Sequence, residues 1–357
     1  MRPVKILRTL TWIGLVGFLL GTVPVRAEPL VYVPLGGEGK IVVVDAATDE
    51  IINTMDGVPA VHGLAKTPDG QFLIAGSFDE RKMDGKAPAK PAGVSADEHA
   101  AHHGGSAAPA AKAGSMVSTV SVVRTDDASI VRRIDVPGAV HHVAVSPDGR
   151  FAVVTQPNEG GISAIDLATY KVTTISTGPF SNYAVFSPNG KRLFVSNAGN
   201  NTVSEVDTAR WIVLRNNVVG NSPEHMVLSH DGRRLYVANV DDGTVTEVAL
   251  GSGTTSRTFD IGGSLHGLDL SKDGRVLFAS AREQGKLVGI NLHTAKKRVA
   301  PLAPAPYHLT SIGDTGKLYV SSAEQPNIWV VDQETMSVIG NIPINGKGHQ
   351  MVTAAGS

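Results

Sequence analysis

The chain has no cysteine in 357 residues. That excludes disulfides, thiolate metal sites, c-type haem attachment and a lipid-modified cysteine. Charge is scarce too, with Asp, Glu, Lys and Arg making up 18% of the residues. Basic and acidic side chains nearly cancel, 32 against 33, for a formal net charge of −1. Such a balance gives no electrostatic footprint for nucleic acid. Helix-forming stretches are few, and the apolar run at residues 10–23 is too short to span a bilayer comfortably. What is plentiful is Gly (39), Pro (20) and valine, a composition suited to an all-β chain with many turns.

The N-terminus reads as a secretory signal. Arg2, Lys5 and Arg8 precede the apolar run, and Val25-Arg26-Ala27 fits a small-x-small cleavage site. Residues 1–27 are therefore expected to be removed, leaving a periplasmic chain of residues 28–357 with no membrane span. An uncleaved anchor is the alternative. An exported protein without disulfides needs a large core of its own, and this chain is long enough to build one.

One phrase recurs, an apolar strand followed by Ser/Thr-x-Asp/Asn-Gly. It reads HGLAKTPDG from His62, HHVAVSPDG from His141, NYAVFSPNG from Asn182, EHMVLSHDG from Glu224, HGLDLSKDG from His266 and HLTSIGDTG from His308. A truncated copy, HQMVT, begins at His349. The starts lie 79, 41, 42, 42, 42 and 41 residues apart. A period near 42 fits a four-stranded propeller blade. Alternation and turn signals divide each period into strands A to D, from the axis outward. In the fourth unit these are residues 226–229, 235–239, 244–248 and a strand within 255–261. The N-terminal segment supplies strands B, C and D at residues 30–33, 40–45 and 50–54, with no strand A before them. The C-terminus supplies a strand A at residues 350–353 with nothing after it. The expected fold is thus a single all-β, seven-bladed β-propeller, closed by joining its two ends in one blade. Closure removes the open edge that invites aggregation. A monomer is expected.

The long spacing contains residues 78–116, rich in Ala, Pro, Gly, Lys and Ser, between strands B and C of the first blade. Such a segment cannot bury enough surface to offset its ordering entropy, so a disordered loop is expected. Within it, Asp97-Glu98-His99-Ala100-Ala101-His102-His103 offers three imidazoles, at His99, His102 and His103, to zinc or copper. A solvated spacer is the alternative.

The position eight residues before each turn glycine is occupied by His62, His141, Asn182, Glu224, His266 and His308, with His349 in the truncated copy. Five of seven are histidine, although histidine is 12 of 357 residues overall. Each lies at the start of an innermost strand, so all seven surround one mouth of the axial channel. The next position adds His142, Tyr183 and His225, which point either into the strand packing or into the mouth. Neutral imidazole suits a borderline ion such as zinc or copper, while calcium and magnesium want oxygen ligands. The candidate metal residues are therefore His62, His141, His266, His308, His349 and Glu224, with His99, His102 and His103 as a mobile collector. Strand B returns to the same mouth, so the loops after it add Glu159, Asp241, Asp242, Glu283 and Glu324, which attract cations and orient imidazoles. The alternative is structural, with each histidine hydrogen-bonded to the neighbouring blade's loop. His230 and His293 fall in turns and are expected at the surface.

The phrases LFVSNAGNNTVSEVD and LYVANVDDGTVTEV resemble the YVTN family of bacterial β-propeller repeats across nearly the whole mature chain. That resemblance implies the fold and leaves function broad. The ring resembles in position that of the propeller of nitrous oxide reductase, but the second domain and its cysteine ligands are lacking. Repeat and length are also similar to the haem d1 domain of cytochrome cd1 nitrite reductase, which implies a tetrapyrrole-binding enzyme or carrier. Periplasmic propeller-type zinc chaperones are similar in being exported, single-domain and histidine-rich. That likeness implies a zinc or copper chaperone or buffer, passing its ion to a periplasmic metal-binding or transport protein. An interaction scaffold without a small ligand is a further alternative. No G-x-S-x-G, Rossmann or P-loop phrase points to catalysis.

Overall fold

The computed structural model describes residues 30–82 and 116–353. Seven antiparallel sheets stand around one axis. Blade 1 runs Val61–Lys66, Phe72–Ser77, Met116–Arg124 and Ile130–Pro137. Blade 4 runs Pro223–Leu228, Arg234–Asn239, Thr244–Ala249 and Thr254–Asp260. The other chain-contiguous blades open with strands A at Val143–Val145 (blade 2), Ser181–Phe186 (blade 3), Leu265–Leu270 (blade 5) and Pro306–Ile312 (blade 6). Blade 7 is made from both ends of the chain. Its strands B, C and D are Leu30–Leu35, Lys40–Asp45 and Glu50–Asp56, and its strand A is Val352–Thr353.

The closure predicted from the repeat count is present. Val31 pairs with Thr353 and Tyr32 with Val352, antiparallel. The His349 N–H adds a bond to the Pro34 carbonyl at 3.1 Å. Seven apolar layers follow, one between each pair of neighbouring blades. Between blades 6 and 7, for example, Val31, Val33 and Val44 pack on Tyr319, Ile328 and Val330. Between blades 4 and 5, Tyr236 and Val245 pack on Leu268, Leu277 and Val288. Strands B and C are buried on both faces, whereas strands D are largely exposed.

The recurring Ser-x-Asp-Gly turn explains its own composition. In blade 2 the Ser146 hydroxyl donates to Asp148 at 2.6 Å, and the same carboxylate oxygen accepts the Arg150 N–H at 3.1 Å. Gly149 sits at φ 70°, a left-handed conformation that costs glycine least.

The insertion is shorter than residues 78–116. After strand B of blade 1, Arg81–Lys82 pairs with Val117 and Met116, so both stems of the insertion are part of the blade. Beside this pairing Arg81 forms an ion pair with Asp135, and Ser118 donates to the Ser77 carbonyl at 2.5 Å. Residues 83–115, with His99, His102 and His103, lie outside the described residues, as does the signal segment 1–27.

Candidate metal centre

Strand A does not enter its blade as a regular strand. In blade 4, Pro223 pairs with Asn239 and Met226 with Val237, so Glu224 and His225 together oppose Ala238. Blades 3, 5 and 6 carry the same one-residue bulge, at Asn182–Tyr183, His266–Gly267 and Tyr307–His308. A bulge leaves one N–H without a ladder partner and re-aims its side chains. Strand B supplies the missing partner. Ser196 Oγ accepts the Tyr183 N–H at 3.0 Å, and Ser280 Oγ accepts the Gly267 N–H at 2.8 Å. The Ser280 hydroxyl then donates to the Tyr307 carbonyl of the next blade at 2.5 Å. The bulges thus tie neighbouring blades together where the ring residues stand.

The structure splits the ring into two groups. His225, His266 and His308 form a buried triad, each offering one ring nitrogen within 4.8 Å of the others. His225 Nε2 lies 3.2 Å from His308 Nδ1, and His266 Nε2 lies 3.4 Å from His308 Nε2. A tetrahedral ion with bonds of about 2.0–2.1 Å places its nitrogen ligands about 3.4 Å apart. The two short contacts use opposite nitrogens of His308, only one of which can face a given ion. A single ion therefore needs the set of one nitrogen each, which spans up to 4.8 Å and closes only by side-chain rotation. All three are 4–5% exposed. Burial pushes the His225 imidazolium down to about 3 and that of His308 well below the usual range. Both rings are neutral near pH 7, the form that binds metal.

Glu224 belongs to this centre, but not on the side facing the triad's shared space. Its Oε2 lies 3.4 Å from His266 Nδ1, the nitrogen turned away from His308. A carboxylate there orients the imidazole and fixes its tautomer. In the protein alone, burial and the nearby Asp241 push the Glu224 carboxyl up to about 8, partly opposed by Arg282.

The second group is His349, His62 and His141, whose rings follow one another with centroids 4.4 and 4.7 Å apart. Here the structural alternative is visible. His62 Nδ1–H donates to the His141 carbonyl at 2.8 Å, and His141 Nδ1–H to the Asn182 carbonyl at 2.9 Å. Each ring thereby bonds the next blade. His308 stands between the groups, its centroid 6.0 Å from His349 and 6.5 Å from His62. Phe78, on the stem of the insertion, stacks on His62 at 5.1 Å, so the insertion leaves the fold beside the ring.

Of the loop carboxylates, Asp242 accepts the Asn221 N–H at 2.7 Å and Asp241 pairs with the Ser222 hydroxyl. They brace the entry into strand A and hydrogen-bond no imidazole. His230 and His293 are exposed, as expected. His225 is one of three residues, with His142 and Tyr183, that the repeat alignment leaves undecided.

With this geometry in hand, comparison with solved structures places the architecture. The fold is that of bacterial seven-bladed propellers. The periplasmic gluconolactonase PpgL of Pseudomonas aeruginosa superposes with TM-score 0.70 at 17% identity, over 92% of this chain and 99% of that one. Dihydro-haem d1 dehydrogenase NirN, solved in complex with DHE, gives TM-score 0.64 at 18% identity, over 90% of this chain and 65% of that one. Hydrazine synthase of Kuenenia stuttgartiensis gives TM-score 0.63 at 17% identity, over 80% of this chain and 86% of that one. At these identities the likeness is one of fold alone. No family model matches the sequence, and no curated protein does either.

Proposed function

We propose that this chain is a periplasmic metal-binding propeller, a chaperone or buffer for zinc or copper, that holds its ion at His225, His266 and His308. The observation that carries the reading is the convergence of three buried imidazoles within 4.8 Å, one of them backed by the Glu224 carboxyl group. Packing three imidazoles together in a core without a shared ligand is a poor use of buried volume, and a borderline cation is what neutral nitrogen donors select. His62, His141 and His349 then serve as the outer approach, and His99, His102 and His103 as collectors on the loop. The recipient is a periplasmic metal-binding or transport protein.

The test is metal binding by untagged, metal-stripped protein. One equivalent of zinc or copper should bind, and His225→Ala, His266→Ala or His308→Ala should each weaken it by at least ~100-fold, beyond the loss typical of an orienting partner. His62→Ala and His349→Ala should do far less. Stoichiometric binding that survives the triple substitution of the triad overturns the proposal.

A second reading, tetrapyrrole binding, rests on the fold likeness to NirN. It requires a Soret-like band when the cofactor is added, lost on changing one ring histidine.

A further inference from the structure

The buried His142 imidazole has a hydrogen-bonding sense opposite to that of His62 and His141. It lies just before strand A of blade 2 and is 5% exposed. The Ala184 N–H donates to its Nδ1 at 3.3 Å. The Nδ1 lone pair is therefore used, and the neutral ring carries its hydrogen on Nε2. That Nε2–H meets no acceptor among the described residues. A buried donor left in this state is rare and points to a ligand. His62 and His141 are locked the other way, with hydrogen on Nδ1. His142 is thus built to face an acceptor.

His142 lines the same channel wall as the triad, with Tyr183 between it and His225. The Tyr183 ring lies 3.6 Å from His142 and 4.7 Å from His225, so the three rings follow one another around the channel wall across blades 2, 3 and 4. Burial holds the His142 imidazole well below its usual range, and the imidazoles of His225, His141 and His62 are near enough to oppose its protonation further. It is thus a neutral donor, which adds no repulsion towards a bound cation.

Three imidazole ligands leave one position open on a four-coordinate ion. Glu224 does not fill it, because it stands on the far nitrogen of His266. We infer that this open position takes a small oxyanion, a carboxylate or its inorganic equivalent, with one oxygen on the ion and the other accepting the His142 Nε2–H. The inference rests on the metal reading above. Two oxygens on one small anion satisfy both partners, while a halide has a single atom to offer.

The experiment uses mature protein loaded with Co(II), whose visible bands report the coordination sphere. Formate is titrated against chloride. Formate is expected to shift the bands saturably and to bind more tightly than chloride. His142→Phe, which keeps a planar ring beside Tyr183, should weaken formate by ~10-fold and leave chloride unchanged. His142→Gln, which restores an N–H, should recover most of the loss. Co(II) uptake is measured in the same samples, so loss of the ion and loss of the anion are told apart. Protein that takes up no Co(II) overturns the metal reading and this inference with it. Protein that binds Co(II) but does not respond to formate overturns this inference alone, as does an equal formate constant in wild type and His142→Phe. Should His142→Phe fail to fold, wild type decides, since chloride binding as tightly as formate removes the need for a second oxygen.

Discussion

Glu224 Oε2 stands 3.4 Å from His266 Nδ1, and neither side chain has appreciable contact with solvent. With its carboxyl pushed up to about 8, Glu224 is largely protonated at neutral pH, and its Oε2 is the carboxyl oxygen that faces Nδ1. A carboxyl hydrogen donated from Oε2 to Nδ1 would place the His266 hydrogen on Nε2. An ion held at Nε2 would require the imidazole hydrogen on Nδ1, with the ionised Glu224 carboxylate as its acceptor and the Glu224 proton released to solvent. Metal uptake near pH 7 should therefore release close to one proton, seen as a dependence of the calorimetric enthalpy on buffer ionisation. Glu224→Gln should abolish the release and weaken the metal by 10–100-fold, as orienting partners do. Unchanged proton release in the variant would remove Glu224 from the centre.

The same carboxyl gives the metal-free protein an alkaline weakness. Asp241 and Arg282 face it with opposite effects, and burial dominates. Its folded pKa lies above its unfolded one, so its contribution to stability is complete at acid pH and is lost as pH rises towards about 8. Above about pH 7.5 the unfolded imidazoles are nearly all deprotonated, and this group governs. Stability should fall by about 1 kcal/mol between about pH 7 and 8.5, and Glu224→Gln should flatten that decline. Below pH 6.5 the buried His142, His225 and His308 act in the other sense, because the unfolded chain takes up protons that the fold refuses. Their contribution is lost as pH falls, opposed in part by Asp269, whose carboxyl burial raises to about 6. Denaturant titrations of metal-free protein across this range read both arms.

His62 and His141 should matter to folding more than to the buried ion. Each donates to a carbonyl of the next blade, a bond worth about 1 kcal/mol net and more when its loss leaves a buried carbonyl unpaired. Alanine at His141 should cost about 1–3 kcal/mol in chemical denaturation, with a smaller loss at the half-buried His62. A large loss of metal at the triad in either variant, without loss of stability, would contradict the division into two groups.

Ending the chain at Gly348 should open the ring of blades. Val31 and Tyr32 would lose their ladder partners, and Met351, 7% exposed, would leave the layer between blades 6 and 7. The bare strand edge is a template for pairing with other chains. The truncated protein should lose on the order of 3–5 kcal/mol and aggregate, which scattering during thermal unfolding would show. Behaviour equal to the full chain would mean that closure contributes little.

Much of this was legible before any coordinates. Val31 and Val352 reveal the closure because one end lacks a strand A and the other has nothing else. Ser146, Asp148 and Gly149 mark a turn by their chemistry. His225 was not legible as a partner of His266 and His308. In a regular pleat neighbours point to opposite faces, so a reader must choose between Glu224 and His225. The bulge between Pro223 and Met226 removes that choice and lets both residues take part. Its traces are in the sequence, in the hydroxyls of Ser196 and Ser280 within otherwise apolar strands, but they are intelligible only once each is seen holding the bulged N–H.

By itself, then, the sequence determined the number of blades, the blade that joins the termini, and the gathering of His62, His141, His266, His308 and His349 at one end of the axis. Those follow from period and topology, which a linear chain carries in full. Only the tertiary structure decided which imidazoles meet. Whether a nitrogen faces an ion, a carbonyl or an empty space depends on blade-to-blade distances and on backbone partners such as the Ala184 N–H and the Asn182 carbonyl. These lie on neighbouring blades, and no spacing along the chain encodes their separation in space.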